Sequence, residues 1–115
     1  MARLRPARKP LVWLSGQVKS PPFTPEGRIE MGQLIAHLQD GESLGLPHSR
    51  PLPSVGPGVH ELRVRDAGHN WRLVYRIDPD AIVIAAVFPK QSKPQQQREF
   101  DSAERRLKTY DAQEG

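Results

Sequence analysis

The stretch HELRVRDAGHNWRLVYRI, residues 60–77, decides the fold, because its alternation reads as two strands of one hairpin and fixes which side chains share a face. Leu62 and Val64 point one way along the first strand, and Glu61, Arg63 and Arg65 the other. On the second, Trp71, Leu73, Tyr75 and Ile77 alternate with Arg72, Val74 and Arg76. For both apolar sets to line one core, the spacing predicts Asp66 opposite Trp71 across a four-residue loop, Ala67-Gly68-His69-Asn70. A shift by a single residue would bury arginine. That register sets Leu62 against Tyr75, Val64 against Leu73, Glu61 against Arg76 and Arg65 directly against Arg72. Facing like charges are unfavourable by roughly 0.2–1 kcal/mol. Glu61 relieves Arg76, and nothing in this register relieves Arg65 and Arg72.

Downstream, AIVIAAVF (81–88) follows a turn at Asp78-Pro79-Asp80-Ala81 that brings Ile77 to Ile82 and sends Val83, Ala85 and Val87 to the arginine face. The strand is apolar throughout, which predicts a central position with both faces covered. Pro94 then opens a helix in which Phe100, Ala103, Leu107 and Tyr110 recur at helical spacing. Upstream, PLVWL (10–14) is a short strand candidate, and SGQVKSPPF after it is a proline-marked loop. Thr24 reads as an N-cap with Pro25 and Glu26 in the first turn. Ile29, Met31, Leu34, Ile35 and Leu38 form the apolar stripe of a helix that Gly41 ends. Residues 42–58 hold four prolines, too many for regular structure, and read as a loop with short extended pieces. The sum is an α+β domain: a small antiparallel sheet, made of a short N-terminal strand plus a three-stranded meander, with helices packed on one face. Residues 1–9 read as a flexible basic leader, 10–111 as the single domain and 112–115 as a tail.

A chain of 115 residues fills one core. Seventeen Lys and Arg against 13 Asp and Glu give net +4, which points to nucleic acid or an acidic protein segment as partner. There is no cysteine, so thiol nucleophiles, thiolate metal sites and disulfides are excluded. The basic N-terminus has too short an apolar run for a signal peptide, and no run approaches the roughly 18 apolar residues of a membrane span. The expectation is a soluble, cytoplasmic protein without a membrane partner. His37, His48, His60 and His69 show no metal-ligand spacing, so neither a metal nor another cofactor is expected. A sheet face basic on two strands and apolar on the third suits an RNA strand, whose phosphates take the guanidiniums, or an acidic amphipathic peptide. A solvated face with its charges spread apart is the plain alternative. His69, in the hairpin loop, is a candidate general acid or base, and Lys90 and Lys93 in FPKQSKP reach back toward the same edge.

HELRVRD, WRLVYRI, AIVIAAVFPKQSKP and QQQREFDSAERRLKTY, in that order, resemble the HigB-like, phage-derived branch of the RelE/ParE toxin superfamily, over residues 10–111 and most strongly over 60–110. The resemblance implies a RelE-like fold and the toxin of a type II toxin-antitoxin system: a ribosome-dependent, metal-independent mRNA endoribonuclease using the substrate's own 2′-hydroxyl. Its implied partners are mRNA, the ribosome and a cognate antitoxin, usually a helix-turn-helix protein from a neighbouring gene, with DNA met only through that antitoxin. Arg63 matches the family's E-L-R arginine, Arg72 and Tyr75 its next strand, and Lys90 and Lys93 its lysines after Phe88. Beside those matches, Arg65 and Arg72 are expected to stabilise the phosphate, and Arg63, Arg76 and Lys93 to bind the backbone. Lys90 or His69 moves the proton, and Tyr75, on the core face, is structural. The chain departs from the family in having PKQSK where several consecutive lysines are common, and its arginine face offers no tyrosine or acid as base. A ParE-type inhibitor of DNA gyrase and a degenerate, binding-only toxin are the alternatives.

Overall fold

A computed structural model describes residues 8–20 and 22–114. Seven elements follow in order: β1 (Leu11–Trp13), α1 (Pro25–Gln39), β2 (Ser49–Pro51), β3 (Val59–Asp66), β4 (His69–Ile77), β5 (Ile82–Pro89) and α2 (Lys93–Glu114). They build one five-stranded sheet in the order β1-β5-β4-β3-β2. The class is α+β, as the sequence predicts, but the sheet is mixed: β1 runs parallel to β5, since α1 and the meander carry the chain across the sheet before it returns. β2 arises inside the stretch expected to be a loop and pairs antiparallel with His60, Glu61 and Leu62.

The β3–β4 hairpin is tighter than the sequence predicts. Asp66 pairs with His69, so the turn is Ala67-Gly68 alone, with φ of 47° and 82°. Positive φ at both central residues is what a two-residue type I′ turn requires, and its twist matches that of the strands. The pairing therefore slips by two residues, a shift that keeps every side chain on its expected face. Arg63, not Arg65, faces Arg72, and Arg65 faces Asn70; Leu62 meets Leu73, and Val64 meets Trp71. Glu61 faces Val74, not Arg76.

The turn after β4 joins Ile77 to Ile82 as expected, with Asp78 N–H donating to the Ala81 carbonyl at 2.9 Å. A bulge then interrupts the β4–β5 register: Tyr75 pairs with Ile84, but Val74 pairs with Ala86. The extra residue, Ala85, is what the alternation could not register. Beyond it Ala86 and Phe88 lie on the arginine face, and Val87 packs with the opposite core, reversing the expected place of Val87. The side chain of Arg106 donates to the Ala85 carbonyl at 2.8 Å, so the carbonyl at the bulge has a partner from α2.

The helices lie on opposite faces of the sheet, not on one. Met31, Leu34, Ile35 and Leu38 of α1 pack with Phe23 on Leu62, Val64, Trp71, Leu73, Tyr75, Ile82 and Ile84. Phe100, Ala103 and Leu107 of α2 pack on Val74, Val83, Ala85, Ala86 and Phe88, the other face, which Leu52, Val55 and Val59 complete. The arginine face is thus covered over its apolar half, and a wholly apolar β5 serves two cores. Ile29, expected in the α1 stripe, is 54 % exposed, and buried Gly27 takes the place on that face.

Thr24 caps α1, its hydroxyl accepting from Gly27 N–H at 3.1 Å. The Asp66 carboxylate, at the end of β3, accepts from Thr24 N–H at 2.9 Å and from the Thr24 hydroxyl. A Cβ at residue 27 would stand 2.2 Å from the Asp66 Cγ, so glycine is required for this approach. Ser92 and Gln95 form a capping box at the start of α2, where Ser92 Oγ donates to Gln95 Oε1 at 3.0 Å and accepts from Gln95 N–H at 3.4 Å. The helix runs through to Glu114, past the boundary expected at 111. Of the leader expected at 1–9, residues 1–7 lie outside the described residues. Lys9 is fastened: its N–H donates to the Gln39 carbonyl at 2.9 Å and its ammonium to the Asp78 carbonyl at 3.0 Å. Among the described residues no helix is long and apolar enough to cross a membrane.

Candidate functional site

Pairing between β2 and β3 stops at Leu62, with one further bond from Arg63 N–H to the His48 carbonyl at 2.8 Å. Past that point the arginine face emerges from under α2 at a corner of the sheet. An open cleft of about 440 Å³ lies there, lined by Glu30 of α1, Pro47 and His48, Arg63, Val64 and Arg65 of β3, Asn70 and Arg72 of β4, and Lys90 after β5. The short strands make this convergence: β2 begins only at Ser49, opposite Leu62, and leaves the end of β3 open, and the tight Ala67-Gly68 turn sets Asn70 and Arg72 beside Arg65 and Arg63.

Four of the predicted site residues meet in this cleft: Arg63, Arg65, Arg72 and Lys90. Arg65 and Lys90 are exposed. Arg72 is largely buried, its side chain 8 % exposed, and burial pushes its guanidinium below the ordinary arginine value, with Glu61 opposing and Arg63 and Arg50 reinforcing. Its charge therefore lies behind the cleft wall and not at its surface. His69 stands outside the cleft: its ring stacks at 6.0 Å on Trp71, a residue of the α1 face, and borders an adjoining depression that shares Asn70 and Lys90 with the cleft. Lys93 is the first residue of α2 and does not line the cleft.

Arg76 is elsewhere. Its guanidinium donates to Asp78 at 2.7 and 3.0 Å and to Asp111 at 2.7 and 3.0 Å, tying β4 to the far end of α2. Those hydrogen bonds, the Asp111 ones first, hold its proton even more firmly than an ordinary arginine does. Tyr75 is on the core face, 1 % exposed, its hydroxyl hydrogen-bonded to Ser49 Oγ at 2.7 Å; burial pushes the phenol up.

Sequence reasoning missed three participants. Glu61 is fully buried and sits among three guanidiniums, with Arg50 Nε at 3.0 Å, Arg63 Nε at 3.5 Å and Arg72 Nε at 3.8 Å. It therefore relieves the facing pair Arg63/Arg72, a role invisible while the register stood two residues away. Arg50 belongs to a strand too short to show alternation. His48 is brought to the cleft wall by the turn before β2, where its own N–H donates to the Gly45 carbonyl at 3.0 Å; no local motif marks it. Among the described residues no group of three His, Asp or Glu side chains is placed to hold a metal ion.

The arrangement is a corner where several cations converge, with an imidazole and an amine at hand. Guanidiniums grip phosphate through paired N–H groups, and imidazole exchanges protons near neutrality. Such a constellation has the charge to hold an anionic group, with proton-carrying side chains beside it. The model of a family described as phage derived protein Gp49-like (DUF891) matches residues 23–108, which include both helices' core faces and every cleft residue. No curated protein and no solved structure matches the chain.

Proposed function

The chain belongs to the phage derived Gp49-like family, part of the RelE toxin-like group, and from that membership we propose that it is the toxin of a type II toxin-antitoxin system, acting as an mRNA endoribonuclease on the ribosome. The observation that carries this reading is the meeting of Arg63, Arg65, Arg72 and Lys90 in one cleft, cations from two strands and from the segment after a third brought to a single corner. The target sets the place of action in the cytoplasm. A cognate antitoxin, encoded nearby and usually of the helix-turn-helix kind, is the partner that restrains the toxin and its route to DNA.

In the reaction proposed, the 2′-oxygen forms a bond to the adjacent phosphorus and the bond to the 5′-oxygen breaks. The products are a 2′,3′-cyclic phosphate and a 5′-hydroxyl. One proton leaves the attacking hydroxyl and one reaches the departing oxygen. Arg65 and Arg63 hold the non-bridging oxygens, and Arg72, behind them, adds charge against the dianionic phosphorane, so the cations themselves supply the stabilisation. Lys90 and His48 flank that position and serve the two proton transfers, in place of the His69 of the sequence pattern. Lys93 extends the positive path beyond the cleft, and Arg76, engaged by two carboxylates, takes no part.

The test is induction in a bacterial host of the wild type and of Arg65→Ala/Lys90→Ala, both exposed positions whose loss leaves the core intact, with growth followed and mRNA 5′ ends mapped within minutes. Growth arrest with new 5′ ends in translated regions, reduced about 10²-fold or more in the double variant, is the expected result. Arrest with transcripts intact and signs of DNA damage would sink the ribonuclease reading in favour of a gyrase inhibitor. No arrest from either protein would leave a binding-only relative.

A further inference from the structure

Three arginines share one carboxylate beside the cleft, and the geometry of their sharing is specific. Arg50, Glu61 and Val74 form one row across the sheet, and Arg63 and Arg72 the next. Each guanidinium approaches Glu61 through its Nε, at 3.0 Å for Arg50, 3.5 Å for Arg63 and 3.8 Å for Arg72. Among the described residues Glu61 is the one acid paired with any of the three. Exposure is layered: the Glu61 side chain is 0 % exposed, Arg72 8 %, Arg63 34 % and Arg50 41 %. The carboxylate is the floor, Arg72 the back wall, and Arg50 and Arg63 the rim that solvent reaches. Three positive groups over one negative leave two charges without a counterion.

Two polar atoms inside this cluster, Arg63 Nε and Glu61 Oε2, are buried without a hydrogen-bond partner. Arg63 Nε is a donor and Glu61 Oε2 an acceptor, so the excess of three guanidiniums over one carboxylate, and not these two atoms together, leaves the cluster short of anion. Arg63 belongs both to this cluster and to the cleft. Arg63 and Arg65, two residues apart on one face of β3, stand about 7 Å from one another, a step that one nucleotide of extended backbone covers.

We propose that Glu61 is a positioning residue that fans Arg50, Arg63 and Arg72 into a second phosphate subsite, which takes the backbone phosphate next to the scissile one. That the phosphate is RNA backbone rests on the ribonuclease reading; that the cluster binds a phosphate does not. The subsite extends the footprint toward β2, so the protein grips two consecutive phosphates and leaves the bases between them turned away from the sheet. Arg50 is the member that distinguishes it, since Arg63 and Arg72 serve both positions.

The experiment has two arms. In the first, inorganic phosphate is titrated at constant ionic strength, balanced with chloride, into wild-type protein and into Arg50→Gln, and the arginine Nε–H resonances are followed by NMR. Glutamine keeps a donor for Glu61 and removes the fork; Arg50→Ala is the second variant. The expected result is that phosphate moves the Arg50, Arg63 and Arg72 signals of the wild type and that the Arg63 and Arg72 responses weaken at least severalfold in the variants. In the second arm, a short single-stranded RNA blocked by 2′-O-methylation is bound over a range of salt concentrations. Loss of one phosphate contact on a single strand lowers the slope of log K against log salt by about 0.7. Arg50→Gln and Arg65→Ala are each expected to do so, and the double variant to lose about 1.4.

No phosphate response and an unchanged slope in Arg50→Gln would overturn the subsite and leave Arg50 as a counterion for Glu61; a slope still lowered by Arg65→Ala keeps the RNA reading standing. Phosphate binding with an unchanged RNA slope would overturn the assignment to RNA backbone and make the cluster a site for free phosphate. Phosphate binding by a wild type that ignores RNA would retain the cluster and remove the ribonuclease.

Discussion

Ala67 holds a left-handed backbone, φ 47°, that side chains with a Cβ adopt at a loss of roughly 1–2 kcal/mol, and it does so because Gly68 beside it completes a two-residue turn. Asparagine tolerates this conformation better, and Asn-Gly is the favoured pair for such a turn. Ala67→Asn is therefore expected to raise stability by about 0.5–1 kcal/mol, read from urea or guanidinium unfolding. An unchanged or lowered midpoint would mean that the turn is not strained. The same residue explains where the sequence misled. Ala-Gly carries no strong hairpin signal, and the apolar parity that placed Leu62, Val64, Trp71 and Leu73 on the core face is identical for a two- and a four-residue loop. Faces were thus legible and partners were not. The consequence reached the site: Arg63, not Arg65, faces Arg72, and the buried Glu61 that compensates them had been given to Arg76 by the expected register.

At the scale of elements, α1, α2 and the three meander strands were readable from caps, stripes and alternation, whereas their arrangement was not. A β5 apolar on both sides called for cover on both sides, but the arginines beside it suggested an open face. The bulge at Ala85 resolved the conflict by giving α2 two adjacent small residues, Ala85 and Ala86, to lie on. β1 and β2, three residues each, were too short for any periodicity to announce their pairing. What fastens α2 at its far end is Arg76, gripped by Asp78 and Asp111. Arg76, mainly through its hydrogen bonds, holds the Asp111 carboxyl below its ordinary value of 3.8, against a small effect of burial. A depressed carboxyl contributes stability that is complete above its unfolded value and is lost as pH falls through the folded one. Asp111 is 56 % exposed, so the contribution is less than about 1 kcal/mol. Asp111→Asn is expected to lower Tm slightly at pH 7, with the gap to wild type closing as pH drops below 3.8. A gap that persists at pH 2 would assign the loss to packing and not to charge.

Seen whole, the molecule packs a helix on each face of its sheet, and the cleft lies at a corner. β4 and β5 lie between two cores, flanked by strands on both sides, and β1 and β2 form thin borders. Amide hydrogen exchange is expected to be slowest at Leu73, Val74, Ile82 and Ile84 and fastest in β1, β2 and the Ala67-Gly68 turn, measurable residue by residue by NMR. Uniform protection across the sheet would contradict this ordering. Net +4 was legible as a taste for anions, but not where it gathers, since the cleft joins Glu30, His48, Arg65, Asn70 and Lys90 from segments far apart in the chain. One contact binds its two banks. Asp66, the residue after Arg65, is clasped by the first turn of α1, one turn before Glu30, and Gly27 alone gives the clasp room to close. The gap between the helix bank and the arginine bank is thus set by Thr24, Gly27 and Asp66, none of which faces it. Whatever guest the cleft admits, its gauge is kept by three residues that the guest never touches.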